Sequence, residues 1–247
     1  MAVIVCIVII LVAILVVGLM QAGHASVVLP AASSATQVTP QVTPLATPAP
    51  PKSARPAVDL YVMSFCPYGT QAEAVMSPVV DLLKSKADIR IRYITTITGS
   101  TVDSVNSLHG RTEAKEDLRQ ICINKYYPEE FWSYLKTFNE NCYTKRGNAT
   151  MLSSCRKNTD ATLSLDSAKI DTCSEGEEGL GLLKTDEIAT VKDGAMASPT
   201  LVINGVKYSG ARTPEAYKQA ICNSFETAPA ECSTVLSSTS SAAGGGC

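Results

Sequence analysis

The run Val58-Asp59-Leu60-Tyr61-Val62-Met63 is apolar and β-branched, and it breaks abruptly into Ser64-Phe65-Cys66-Pro67. Beyond the break the apolar residues fall at Ala72, Val75, Met76, Val79, Val80, Leu82 and Leu83, which is helical spacing. Pro67 fits a first helical turn, where its missing N–H costs nothing, and Pro78 predicts a kink. Asp88 to Ile97 (DIRIRYITTI) then alternates Ile with Arg, the pattern of a strand with one wet face. Strand, helix, strand in that order is the start of an α/β fold.

The chain returns to strand signals near its end. Ser198-Pro199-Thr200-Leu201-Val202-Ile203 reads as a strand, Asn204-Gly205 as a two-residue hairpin turn, and Val206-Lys207-Tyr208 as the returning strand. Thr213 caps and Pro214 starts a helix to Cys222. Between these parts, about 108 to 192, the sequence reads as helices and loops, with helices expected over Glu113 to Lys125, Pro128 to Phe138 and Gly179 to Val191. Trp132, Tyr134 and Phe138 fit the core of that insertion.

Two segments of different composition flank the folded part, expected over 58–232. Ala2 to Met20 carries no charge and no proline, enough helix to cross a bilayer core of about 30 Å. Residues 1–25 are therefore a transmembrane anchor or, on the small-x-small site at Gly23-His24-Ala25, a cleaved signal segment. Both place the rest of the chain on the exported side of a membrane: periplasmic, extracellular or luminal. Residues 26–57 hold seven of the 13 prolines, with Thr-Pro at Thr39, Thr43 and Thr47, and read as a semi-rigid tether. Residues 233–247 (STVLSSTSSAAGGGC) read as a flexible Ser/Gly tail ending in a cysteine. With 21 basic against 23 acidic residues there is no basic field to recruit nucleic acid.

Nine cysteines without a C-x-x-C pair or a His-rich partner set favour disulfides over metal, and no metal or small-molecule cofactor is expected. Cys6 falls in the apolar N-terminal run. Cys222 and Cys232 bracket a short connection and suit a local bridge. Cys122, Cys142, Cys155 and Cys173 all lie in the insertion, where three pairings remain open. Cys66 and Cys247 are left over. A thiol at Cys66 would face the unpaired N–H groups of a helix start, which favour thiolate and make it a nucleophile. The position three residues on, where a second active-site thiol would stand, is Gly69. A coil of 15 residues reaches about 20 Å, enough to bring Cys247 to Cys66 as a resolving thiol. An intermolecular bridge or an unpaired end are the alternatives for Cys247. His109, with Glu113 nearby, suits a polar cluster or a helix start at the base of the insertion, and Asn148-Ala149-Thr150 is a glycosylation sequon.

Cys66-Pro67-Tyr68 at a strand-to-helix turn, the Ser198-Pro199 strand entry and the helical insertion together resemble the DsbA-like branch of the thioredoxin superfamily, over roughly residues 58 to 225. The resemblance implies a thioredoxin-like fold with an inserted helical subdomain. It also implies a cis peptide before Pro199 beside Cys66, with free backbone there to pair with a bound peptide. A second, partial similarity, in Leu108-His109-Gly110-Arg111-Thr112-Glu113 followed by Cys122 and Asn124, is to the interferon-induced lysosomal thiol reductase family, without that pattern's leading cysteine. The expectation is a membrane-tethered thiol–disulfide oxidoreductase or isomerase using Cys66, with Pro67 and Pro199 at its site and thiol- or disulfide-containing proteins or peptides as partners. The rival is a redox-silent thioredoxin-like binding module or chaperone.

Overall fold

The computed structural model describes residues 48–239 and 241–247. The membrane span or signal segment expected over 1–25, with Cys6 and His24, lies outside the described residues, as does the tether as far as residue 47. Among the described residues no helix is long and apolar enough to cross a membrane.

A four-stranded sheet in the order β2-β1-β5-β6 forms the centre. Strand β1 (Ala57–Val62) pairs in parallel with β2 (Asp88–Tyr93), and helix α1 (Pro67–Leu83) makes the crossover. On its other side β1 runs antiparallel to β5 (Thr200–Ile203), which turns back into β6 (Val206–Lys207). Both turn residues, Asn204 and Gly205, have positive φ, as that hairpin requires. Thr213 Oγ accepts from Ala216 N–H and caps helix α7 (Pro214–Cys222), which packs on α1. Thr96–Ile97 (β3) leaves the main sheet and pairs with Val105–Asn106 (β4), so the strand expected over Asp88 to Ile97 ends at Tyr93. The expected kink site, Pro78, lies inside the uninterrupted helix α1.

Burial is continuous along β1 from Val58 to Val62 because both of its faces are covered. Val58, Leu60 and Val62 enter the main core with Ala72, Met76, Val79 and Leu83 of α1 and Tyr217 and Ile221 of α7. Tyr61, Met63 and Cys66 join a second cluster with Ile94, Ala195 and Val202. The expected wet face of β2 is instead bridged. Arg90 and Arg92 both donate to the Asp59 carboxylate, and Arg92 also reaches Asp186, whose other oxygen accepts from Tyr93 N–H. Alternation with arginine looks solvated in a sequence; here the guanidinium groups are held against acids on β1 and on an insertion helix.

The insertion contains five helices: α2 (Arg111–Tyr126), α3 (Phe131–Asn141), α4 (Ala149–Thr162), α5 (Ser167–Ser174) and α6 (Glu177–Asp193). Sequence reading found α2, α3 and α6 and missed α4 and α5, whose polar composition hides their amphipathic spacing. Asn148 Oδ1 caps α4 and Asp166 Oδ1 caps α5. Cys122–Cys173 ties α2 to α5, Cys142–Cys155 ties the end of α3 to α4, and Cys222–Cys232 closes the end of α7, with Cα separations of 6.0, 5.6 and 5.8 Å.

Two expected boundaries move. The tether does not run to residue 57: Ser53 N–H donates to Ser224 O, Glu226 N–H donates to Ser53 O, and Pro56 is buried. The Asn204 side chain fixes this entry, its oxygen accepting from Ala57 N–H and its amide donating to Pro51 O. The tail is not a free coil either. Ser237 O accepts from Glu215 N–H, Leu236 N–H donates to the Glu215 carboxylate, and Ala242 is buried. In both cases main-chain groups supply the attachment, which residue composition does not report.

A buried carboxylic acid joins α1 to the insertion. Glu73, 3% exposed, accepts from the Asn139 amide at 2.6 Å. Burial pushes its carboxyl up to about 8; the Asn139 hydrogen bond pulls it down and the charge of Glu116 adds a further rise. A folded pKa above the ordinary 4.5 means that the native state holds the extra proton between about pH 4.5 and 8, so stability falls as pH rises through that window. Glu73→Gln keeps the shape without the charge. In urea unfolding at pH 7.5 it should gain about 4 kcal/mol over wild type relative to the difference at pH 4; an offset independent of pH would show that Glu73 ionises normally.

Candidate active site

In the turn between β1 and α1 every backbone N–H from Met63 to Cys66 has a partner. Met63 N–H donates to Ser198 Oγ at 3.0 Å, Ser64 N–H to Asp117 Oδ1 at 3.1 Å, and Phe65 N–H to Glu113 Oε1 at 2.8 Å. Tyr143 Oη donates to Phe65 O, and Cys66 N–H donates to Met63 O. Phe65 itself stacks on Phe138 at 6.2 Å between ring centres and meets Tyr143 edge-on. Two strata therefore hold the turn: the strand entry at Ser198 on one side, and the insertion helices α2 and α3 on the other.

Glu113 and Asp117, one helical turn apart on α2, have carboxyl groups buried under the turn. Glu113 also accepts from Ser107 Oγ and His109 N–H, and His109 Nδ1 lies 2.8 Å from it. His109 thus belongs to the cluster expected at the base of the insertion, two residues before α2 begins. Asp117 is pushed well above the usual carboxylate range, first by burial and then by the charge of Glu113. Sequence reading named Glu113 only as a neighbour of His109 and did not name Asp117. The signal was the spacing of Glu113, Glu116, Asp117 and Gln120, which puts polar side chains on one face of a helix that turns inward.

Cys66 is the N-cap of α1, with extended backbone (φ −74°, ψ 120°), and Pro67 is the first helical residue. It is fully buried and joined to Cys247, with Cα atoms 6.1 Å apart across 181 residues of sequence. The tail reaches it through the backbone of its last residue. Cys247 N–H donates to Ser198 O at 2.9 Å and Ser198 N–H donates to Cys247 O at 3.2 Å, a two-way antiparallel pairing. Upstream, Arg212 Nη1 donates to Gly245 O at 2.6 Å and to Ala243 O at 3.2 Å, and Ala243 N–H donates to Gln71 Oε1. Gly245 sits at φ +128° with its Cα so near the Tyr68 ring that an added Cβ would lie 2.8 Å from it. Pro199 is buried, follows a cis peptide bond, and is adjacent to Ser198, which makes the two-way pairing with Cys247.

Gly69 has a steric explanation here. A Cβ at this position would lie 2.6 Å from Ser198 Oγ and 3.2 Å from Met63 O. The space that a second helix cysteine would use is filled by the serine hydroxyl that holds Met63. The remaining sequence-predicted site residues, Cys122, Cys142, Cys155, Cys173, Cys222 and Cys232, are apart from this centre in the three structural bridges. Among the described residues no group of His, Cys, Asp and Glu is arranged to hold a metal ion.

With fold and geometry in hand, the chain can be placed. The sequence model of the vacuolar sorting receptor thioredoxin-like domain matches residues 90–222, more than half the chain. The protein therefore belongs to the vacuolar sorting receptor thioredoxin-like domain family, and its Cys66 turn and tail lie outside the matched stretch. No curated protein matches it. Among solved structures it is similar to MdbA, a thiol-disulfide oxidoreductase from Actinomyces oris, at 16% identity and a TM-score of 0.51, over 71% of this chain and 84% of that one. It is likewise similar to reduced DsbA1 from Neisseria meningitidis at 16% identity and a TM-score of 0.50, over 72% and 87%. At such identities the likeness establishes a shared thioredoxin-type fold with its helical insertion.

Arg212 offers a direct check on the tail's seating. Removing two charge-assisted hydrogen bonds at a partly exposed site costs about 1 to 1.4 kcal/mol. Arg212→Ala should lower the equilibrium constant for closing Cys66–Cys247 against glutathione about fivefold to tenfold and leave the three other bridges unchanged. An unchanged constant would mean that Arg212 does not seat the tail.

Proposed function

We propose that this protein is an exported, membrane-tethered thiol–disulfide oxidoreductase in which Cys66 and Cys247 are the exchanging pair. The observation that carries the reading is the position of the bridge. It joins the N-cap of α1, where first-turn N–H groups favour a thiolate, to a tail residue paired with Ser198 beside Pro199. A structural disulfide has no need of either feature. The tail supplies the second thiol that Gly69 cannot, so mixed disulfides formed at this centre can be resolved within the same chain. Support also comes from the similar solved structures, one of which is described as a thiol-disulfide oxidoreductase. Partners on this reading are proteins or peptides carrying thiols or disulfides, and the apolar segment Ala2 to Met20 supplies the tether.

A binding module with an inert bridge is the second reading. One observation favours it: the family match covers the insertion and the β5–β6 region but not the Cys66 turn. The two readings separate in a dithiol-peptide oxidation assay on the oxidised full chain. The oxidoreductase reading expects wild type to oxidise the peptide one for one, with Cys66→Ser and Cys247→Ser each at least about 100-fold slower. A wild-type protein that neither oxidises the peptide nor exchanges with glutathione would leave the binding module.

A further inference from the structure

We propose that exchange at this centre starts on the tail: an incoming thiolate attacks Sγ of Cys247 and expels Cys66 as the leaving thiolate. The partner is then carried on the tail, not on the helix. This rests on the oxidoreductase reading above and specifies its first step.

Thiol–disulfide exchange is an in-line displacement, so the attacking sulfur must approach along the S–S axis from the side opposite the leaving sulfur. For attack on Cys66 that approach comes through the protein. Cys66 has none of its surface exposed and packs with Tyr61, Met63, Ile94, Ala195 and Val202, and the Ser198 carbonyl oxygen is 3.3 Å from its sulfur. Cys247 is only partly buried, and the four residues before it, Ala243 to Gly246, are exposed. Of the two cysteines, only the one on the tail has any exposed surface.

The leaving side is prepared as well. Cys66 occupies the N-cap of α1, and no side chain caps that helix while the bridge is closed. Once expelled, the Cys66 thiolate can accept from the first-turn N–H groups and sits at the positive end of the helix dipole. A stabilised leaving thiolate departs faster, so the helix position favours expulsion of Cys66 while its inaccessibility blocks attack on it.

The balance closes without any further reactant. In the first step the bond from the partner's sulfur to Cys247 forms and the Cys66–Cys247 bond breaks, leaving Cys66 as thiolate; no net electrons move. The end of the tail then keeps its pairing with Ser198 and its contacts to Arg212 and Gln71, and Gly244, Gly245 and Gly246 give it a hinge. In the second step a second thiolate on the partner attacks the partner's own bonded sulfur, releasing Cys247 thiolate. The partner dithiol has lost two electrons to become a disulfide, and Cys66 and Cys247 have gained them; the two thiol protons pass to the released thiolates through solvent. The partner class is a protein or peptide dithiol.

The test is a millisecond-to-second pulse of glutathione on the oxidised full chain, quenched in acid, alkylated and mapped by mass spectrometry. The expected product carries glutathione on Cys247 and the alkyl group on Cys66, at least tenfold over the reverse arrangement at the earliest times. Glutathione on Cys66 with alkylated Cys247 would overturn the order of attack while leaving the oxidoreductase reading in place. No adduct on either cysteine would overturn the oxidoreductase reading and this step with it.

Discussion

Ser198 makes the contacts on which the site depends. Its hydroxyl accepts from Met63 N–H, its N–H and C=O pair both ways with Cys247, and its carbonyl oxygen lies against the Cys66 sulfur. One buried residue therefore fixes the end of β1, the seat of the tail and the environment of the Cys66 sulfur. The same hydroxyl fills the space above Gly69 and so excludes a second cysteine from the helix. A thiol pair is then attainable only if the second sulfur comes from elsewhere. The tail brings it, along the backbone that Ser198 leaves open for a strand.

The insertion does more than cover the sheet. Glu113 and Asp117 of α2 receive the N–H groups of Phe65 and Ser64, and Tyr143 holds the Phe65 carbonyl. Buried acidic side chains thus fix the turn that places Cys66 at the helix cap. Two disulfides keep α2, α3, α4 and α5 in register with one another. The cross-links at the rim tie helices of the insertion and the end of α7; the one at the centre joins the cap of α1 to the tail.

Local signals made much of this legible in the sequence. The β1–α1–β2 unit, the Asn204-Gly205 hairpin and the Thr213 cap depend on residues close together in the chain, and Cys66 stood out because it fell at a strand-to-helix break. The features that stayed hidden are non-local. Whether Cys122 meets Cys142, Cys155 or Cys173 depends on how α2 packs on α5. Glu113, Glu116 and Asp117 look like a solvated helix face until the partners arrive from the active-site turn and from Arg156. The Ser/Gly tail carries no periodicity, and its attachment uses main-chain groups that every sequence possesses. Gly69 read as a missing cysteine; only the position of Ser198 explains why nothing larger than glycine fits.

The central claim, that a cysteine on the tail has taken the place of a second cysteine on the helix, is tested most directly by non-reducing peptide mapping of the full-length protein from an oxidising host. The account predicts one intramolecular peptide pair containing Cys66 and Cys247 in the monomer, beside the pairs Cys122–Cys173, Cys142–Cys155 and Cys222–Cys232. Cys247 found only in a bridge between two copies of the chain, with Cys66 free or paired elsewhere, would contradict it.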